Sequence, residues 1–130
     1  MPVLTPTNPK KFVITGWILS AIPALMLLSG AVNGFRMAPM VVDGMVHTGY
    51  PVSVVPVIAT LELVCALLFL IPRTAFYGAV LMTAYFGGAV ATHIRIGESL
   101  WFVAVVFGLV TWIALACRDV RLRAYLLGQG

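Results

Sequence analysis

The fold of this chain is decided by residues 52–93, which read VSVVPVIATLELVCALLFLIPRTAFYGAVLMTAYFGGAVATH. Two apolar runs in this stretch, residues 52–71 and 75–93, are separated only by the turn at residues 72–74. A helix that crosses a bilayer needs about 20 predominantly apolar residues, and each run is close to that length. Because so short a turn keeps the two helices side by side, the stretch predicts an antiparallel pair of membrane-spanning helices.

Two more apolar runs flank this pair, and the four together predict an all-α integral membrane four-helix bundle. A barrel strand would alternate in polarity over about 10 residues, whereas these runs are apolar on every side, as lipid-facing helices are. We expect residues 1–130 to form a single transmembrane domain. The predicted spans are residues 12–35, 52–71, 75–93 and 100–117.

Helix-breaking residues separate the spans. Residues 37–51 contain two prolines and two glycines, so we expect a loop there, and residues 95–99 predict a short turn. Pro23 lies in the middle of the first span, where it predicts a kink. Small side chains, which let helices approach closely in membranes, recur within the spans. They are Gly16, Ser20, Gly30, Gly34, Gly87, Gly88 and Ala91.

The composition excludes a water-soluble globule. Of the 130 residues, 62% are hydrophobic and 9% are charged, whereas soluble domains carry about 25% charged residues. The high apolar content also excludes a disordered chain, because disordered segments have low hydrophobicity and high net charge. The net charge of +4 does not indicate nucleic-acid binding, because the basic residues lie between apolar runs rather than on one exposed face.

The distribution of basic residues predicts the orientation in the membrane. With four spans both termini lie on one side, which carries six basic residues against two on the other. The positive-inside rule then places both termini in the cytoplasm, in a bacterial-type inner membrane. The first apolar run exceeds the core of about 7–15 residues in a signal peptide, so we expect it to be retained as a span. The six residues are Lys10, Lys11, Arg73, Arg118, Arg121 and Arg123, and the two are Arg36 and Arg95.

Glu62 is the one charged residue predicted to lie in the middle of a span. A central acidic residue costs about 2.5–3.5 kcal/mol on insertion scales, so its side chain must face the bundle interior. It could act as a proton relay or as a hydrogen-bond anchor for a polar head group. It could equally bond to a neighbouring hydroxyl or carbonyl as a packing device, and the sequence leaves both interpretations open.

Three polar residues of the third span are expected to align with Glu62. At 1.5 Å of rise per residue, Glu62 and Tyr85 reach similar depths in spans that run in opposite directions. Tyr85, Thr92 and His93 share one helical face because they stand at positions i, i+7 and i+8. The candidate intramembrane polar site is therefore Glu62, Tyr85, Thr92 and His93, with Asn33, Arg36 and Arg95 at its outer rim.

The motifs of common enzyme classes do not occur. His93 could be an interfacial residue, a proton acceptor above Glu62, or a haem or metal ligand. No cluster of His, Cys, Asp or Glu has metal-ligand spacing, so we predict no metal. Cys65 and Cys117 form no C-x-x-C pair, which argues against a dithiol mechanism. Phosphate-loop, G-x-S-x-G and dinucleotide motifs are missing, so the sequence predicts no cofactor of its own, and catalytic residues stay unknown.

Four segments carry a resemblance to a known family. They are Leu61-Glu62-Leu63, the LIPRTA turn at residues 70–75, Gly78-Ala79, and YFGGAVATHIRIG at residues 85–97. Together they resemble the DoxX-like family of small four-helix membrane proteins, over about residues 13–125. The family takes its name from a membrane subunit associated with thiosulfate:quinone oxidoreduction, and no catalytic residue set is agreed for it. The resemblance therefore implies a four-helix membrane bundle, with Glu62, His93 and Arg95 as positions that match its pattern.

Two functions are weighed against each other, with a third ranked last. The first is an accessory or structural subunit of a quinone-linked or electron-transfer membrane complex, without catalytic activity of its own. Its partners would be the lipid bilayer and other membrane subunits, or further copies of the chain. The alternative is a stand-alone enzyme or carrier that binds a quinone or another hydrophobic molecule around Glu62, Tyr85 and His93. A proton-coupled transporter ranks last, because transporters typically contain internal repeats or broken helices in matching halves, and this sequence shows no such repeat.

Overall fold

The computed structural model describes residues 7–129, and the regular structure within them is entirely helical. A 3-10 turn at Val52–Val54 precedes α3. Four helices, α1, α3 with its preceding turn, α4 and α5, are long and apolar enough to cross a membrane, which confirms the predicted all-helical membrane fold. The helices are α1 Lys10–Phe35, α2 Pro39–His47, α3 Val55–Leu70, α4 Ala75–Arg95, α5 Trp101–Arg118 and α6 Val120–Leu126.

The four spans form a ring in the order α1, α3, α4, α5. Helix α1 packs against α3 and α5, and α4 packs against the same two helices. The expected neighbours α3–α4 and α4–α5 are therefore in contact. Large apolar side chains such as Ile18, Leu25 and Leu109 lie more than half exposed on the outside of the ring, where lipid surrounds an integral membrane protein.

The two ends of the bundle differ. Asn8 donates hydrogen bonds of 3.0 Å to the carbonyl oxygens of Cys117 and Arg118, so the start of α1 and the end of α5 meet at one end, which we call the terminal end. The α2 segment and the α4–α5 turn lie at the opposite end. An apolar core that includes Phe69 and Met82 fills the interior between them. That the terminal end faces the cytoplasm remains a prediction.

The expected loop at residues 37–51 is wrong in its central part, which forms α2. Pro39 stands in the first turn of α2, where its missing N–H would be unpaired in any case and its fixed φ favours the helix. Val41 and Met45 of α2 are half-buried. The sequence showed breakers here, but proline breaks a helix in its interior and not at its start. Earlier in the chain, α1 continues through Pro23.

Close helix packing uses some of the predicted small residues and not others. A Cβ on Gly16 would lie 2.9 Å from the carbonyl oxygen of Ala114, and one on Gly34 would lie 2.7 Å from the Cβ of Ala59. At Gly87 and Gly88, however, a Cβ would meet no atom of the described residues within 4 Å. Neither glycine therefore provides a close helix contact within the described residues, and both are exposed on α4.

Gly78 was not among the predicted packing residues, yet its contact with α3 is the tightest of the glycine contacts. A Cβ at this position would overlap the backbone nitrogen of Phe69. We expect Gly78→Ala to destabilise the bundle by about 1–3 kcal/mol, the usual cost of overpacking. The midpoint of thermal unfolding in detergent measures this.

Gly87→Ala is the matched control on the same helix. Its added methyl group meets no neighbour, and alanine favours helix by up to about 1 kcal/mol over glycine. Its unfolding midpoint should equal or exceed that of the wild type. Equal midpoints for Gly78→Ala and Gly87→Ala would contradict the packing described for α3 and α4.

Candidate functional site

A cavity of about 620 Å³ lies between the spans and α2, toward the end opposite the chain termini. We call it the polar cavity. Its wall includes residues of α1, α2, α3 and α4. Its volume falls in the range of about 300–1,000 Å³ that small-molecule sites occupy. Most of the wall is apolar, with Val55, Ile58, Leu61 and Ala89 as examples.

Glu62 and Tyr85 form the deepest part of the polar cavity. The phenol oxygen of Tyr85 donates a hydrogen bond of 2.5 Å to Oε1 of Glu62, so the two residues predicted to lie at similar depths are in contact. Glu62 is only 9% exposed. Gly30 of α1 leaves room for the carboxyl group, since a Cβ there would lie 2.6 Å from Oε2. The carboxyl group thus lies among three helices, with its second oxygen free of hydrogen bonds from residues 7–129.

Thr92 lies nearer the mouth and connects α4 to the segment after α2. Its hydroxyl donates to the carbonyl oxygen of Gly88 at 2.9 Å, so the hydroxyl of Tyr50, at 3.0 Å, is the donor toward Thr92. Both Thr92 and Tyr50 line the polar cavity. This pair places a short hydroxyl chain on a largely apolar wall.

The mouth of the polar cavity carries a carboxylate shared between two histidines. Oε1 of Glu98 lies 2.6 Å from Nε2 of His47, and Oε2 lies 2.9 Å from Nδ1 of His93. His47 ends α2, His93 belongs to α4, and Glu98 lies in the turn before α5. Hydrogen bonds from His47 and from His93 hold the pKa of Glu98 below the ordinary value of 4.5, because they stabilise the ionised carboxylate.

The predicted outer rim is only partly assembled. The guanidinium of Arg95 donates to the carbonyl oxygen of Thr48 and lies 6.0 Å from the centroid of the Tyr50 ring, so it holds the end of α2 near α4. Asn33 instead donates to the Ser29 carbonyl oxygen of its own helix at 2.8 Å. Arg36 is exposed. None of the three predicted rim residues, Asn33, Arg36 and Arg95, lines the polar cavity itself.

The structure thus brings all four residues of the predicted site onto one cavity wall. Glu62, Tyr85, Thr92 and His93 all line it, and their functional role remains a prediction. His47, Glu98 and Tyr50 were missed. The complementary chemistry of a histidine and a glutamate in neighbouring outer segments was the available signal, but 51 positions separate His47 from Glu98, and no periodicity connects them.

Within the described part of the chain, no three His, Cys, Asp or Glu side chains are arranged to hold a metal ion. The two cysteines are free thiols, with Cys65 buried in the core and Cys117 half-buried at the end of α5. What the polar cavity offers is therefore acid–base and hydrogen-bonding chemistry from carboxyl, phenol, hydroxyl and imidazole groups.

The fold and its site define a class of protein, a small integral membrane bundle of four helices with a polar cavity toward one end. Residues 18–116 match the DoxX-like family. The chain belongs to that family, and the resemblance found in its sequence is confirmed. No curated protein and no solved structure matches the chain.

The Glu98 bridge predicts a pH dependence of stability. Because the folded-state pKa of Glu98 lies below 4.5, its ionised form contributes stability above pH 4.5, and this contribution is lost as the pH falls through the lower folded value. We expect the difference in unfolding midpoint between wild type and Glu98→Gln to be present above pH 4.5 and to shrink as the pH falls below that value. Thermal unfolding in detergent at a series of pH values measures this difference.

Asp43→Asn serves as the control for this experiment. Asp43 is exposed on α2, and its side chain forms no ion pair within residues 7–129. Its substitution should shift the midpoint little at any pH. A wild-type advantage over Glu98→Gln that stays constant from neutral to acid pH would contradict the bridge.

Proposed function

We propose that the protein binds a hydrophobic small molecule with a polar head group in the polar cavity, and that a quinone or quinol is the best-fitting class. One observation carries the proposal: a cavity of about 620 Å³ with mainly apolar walls ends at the hydrogen-bonded pair of Glu62 and Tyr85. Sites for small molecules combine such apolar walls with a few well-placed polar groups.

The chemistry of the deep end suits a ring that carries oxygen atoms. Oε2 of Glu62 forms no hydrogen bond with residues 7–129, so it can accept one from a quinol hydroxyl. The Tyr85 hydroxyl can donate to a quinone carbonyl oxygen when it turns from Glu62. An isoprenoid or acyl chain would lie along apolar wall residues such as Ile58 and Leu61. The proposed role is binding, followed by carriage of the molecule or its presentation to a partner.

Two adjacent glycines of α4 provide a sharp test of this site. Gly88 lines the polar cavity and Gly87 does not, yet a Cβ at either would meet no neighbour within 4 Å. We expect Gly88→Leu to weaken binding of decylubiquinone at least about tenfold, or ~1.4 kcal/mol, because the leucine fills the cavity. Gly87→Leu should bind like wild type. Titration calorimetry of the purified protein in detergent measures both.

Variants of the polar residues test whether binding depends on hydrogen bonds to the ligand as well as on the space in the cavity. Glu62→Gln and His93→Ala should both weaken decylubiquinone binding while the helical content, measured by circular dichroism, stays unchanged. If both variants bind like wild type, or if Gly88→Leu and Gly87→Leu bind equally well, the polar cavity is not the site.

An accessory subunit of a membrane redox complex is the second candidate. It is favoured by an uncovered face of α4, where Gly87 and Ala91 are exposed one turn apart. Small residues at this spacing allow close packing of membrane helices from different subunits. Such a role needs no catalytic activity of its own.

We also infer a bacterial-type inner membrane with cytoplasmic termini, which the six basic residues of the terminal end support.

The same two glycines test the accessory role in the opposite sense. In native membranes solubilised with a mild detergent, the wild type should migrate on a blue-native gel as part of a larger complex. Gly87→Leu should dissociate it, because the leucine prevents close approach of a neighbouring helix, whereas Gly88→Leu should leave it intact. Migration of the wild type as a monomer, or equal behaviour of the two variants, would contradict this role.

A further inference from the structure

A second cavity, of about 520 Å³, lies at the terminal end of the bundle. We call it the arginine cavity, because Arg73, Arg118 and Arg121 line it. Its wall combines the first part of α1, the α3–α4 turn and the junction of α5 with α6. None of its residues lines the polar cavity, so it is a separate site.

The positive charge of the arginine cavity is not neutralised within the described residues. Asp119 is the only acidic residue on its wall. Oδ1 of Asp119 already accepts the backbone N–H groups of Arg121 at 2.9 Å and of Leu122 at 3.2 Å. Among residues 7–129 no arginine forms an ion pair with a carboxylate. Three arginines therefore line a cavity whose wall holds one acidic residue, and the carboxylate of that residue caps α6.

Arg118 is held in position by contacts that leave its charge available. Its Nη1 donates to Ser20 Oγ at 3.1 Å and to the Phe69 carbonyl oxygen at 3.0 Å. The guanidinium lies 3.9 Å from the centroid of the Trp17 ring. Gly16 makes this approach possible, since a Cβ there would lie 2.6 Å from Cγ of Arg118. These contacts orient the guanidinium and leave its second terminal nitrogen without a hydrogen-bond partner in the described residues.

A phosphate group carries the negative charge that the wall of the arginine cavity lacks. Guanidinium groups bind phosphate oxygens through paired, charge-assisted hydrogen bonds, and three arginines line this cavity. The rest of the wall is partly apolar, with Trp17, Phe76 and Leu115, and it lies where the spans end, at the level of lipid head groups. We propose that the arginine cavity binds a phosphate group, presented by an anionic phospholipid of the surrounding bilayer.

Two pairs of substitutions test this site with equal loss of charge. Arg73→Gln with Arg121→Gln removes two cavity guanidinium groups whose side chains form no hydrogen bond within residues 7–129, so the fold should survive. Lys10→Gln with Lys11→Gln removes the same charge from the same end, outside the cavity. The purified full-length variants are titrated with phosphatidylglycerol in detergent, and native mass spectrometry counts the lipid molecules retained.

We expect one saturable phosphatidylglycerol on the wild type and on the lysine pair, with similar affinities. The arginine pair should bind at least about tenfold more weakly, since charged hydrogen bonds are lost. Phosphatidylcholine, which has no net charge, should compete poorly. Equal weakening by the two pairs would overturn the site, because it would show only general attraction of a basic surface to anionic lipid.

Inorganic phosphate identifies the source of the phosphate group. Failure of millimolar phosphate to displace phosphatidylglycerol supports the lipid. Full displacement at that concentration would overturn the lipid assignment and show that the arginine cavity recognises a soluble phosphate. Circular dichroism of each variant confirms that the compared proteins are folded.

Discussion

The structure depends on the hydrogen bond of 2.5 Å from Tyr85 to Glu62, because a buried carboxyl group needs a hydrogen-bond partner. A carboxyl group placed in the middle of an apolar span finds no partner in lipid, so the bundle must supply one. Tyr85 does so from α4, and Gly30 leaves the necessary space on α1. The rotation of three helices is therefore tied to a single side chain. The polar cavity extends from this point toward the end of the bundle that carries α2.

The two ends of the molecule hold their charged side chains in different ways. At the end opposite the termini, α2 is held near α4 by the Glu98 bridge and by Arg95 on the Thr48 carbonyl oxygen, and the space beneath is a cavity with polar groups at its base and mouth. At the terminal end, Arg118 lies against aromatic rings and backbone oxygens instead of an acid. Between them the packed apolar core separates the two cavities. The described residues of this DoxX-like bundle thus enclose two cavities of different chemistry.

Much of the candidate site could be predicted from the positions of residues along the chain. Depth in the membrane is proportional to position along a helix, so the proximity of Glu62 and Tyr85 could be predicted from the sequence, as could the shared face of Tyr85, Thr92 and His93. The contact of His47 with Glu98 could not, because it depends on how α2 folds back toward α4. The same limit explains the outer rim. Arg95 reaches the mouth through Thr48, whereas Asn33 bonds within its own helix.

By itself the sequence determined the membrane environment, the number of spans and their antiparallel order. These depend on hydropathy and on distance along the chain. Apart from the face of α3 that carries Glu62 and the face of α4 that carries Tyr85, only the tertiary structure decided which side of each helix faces a neighbour. Gly87 and Gly88 show the difference: they are adjacent and chemically identical, yet one lines the polar cavity and the other faces outward. The physical reason is that spans apolar on every side carry almost no information about rotation around their own axes.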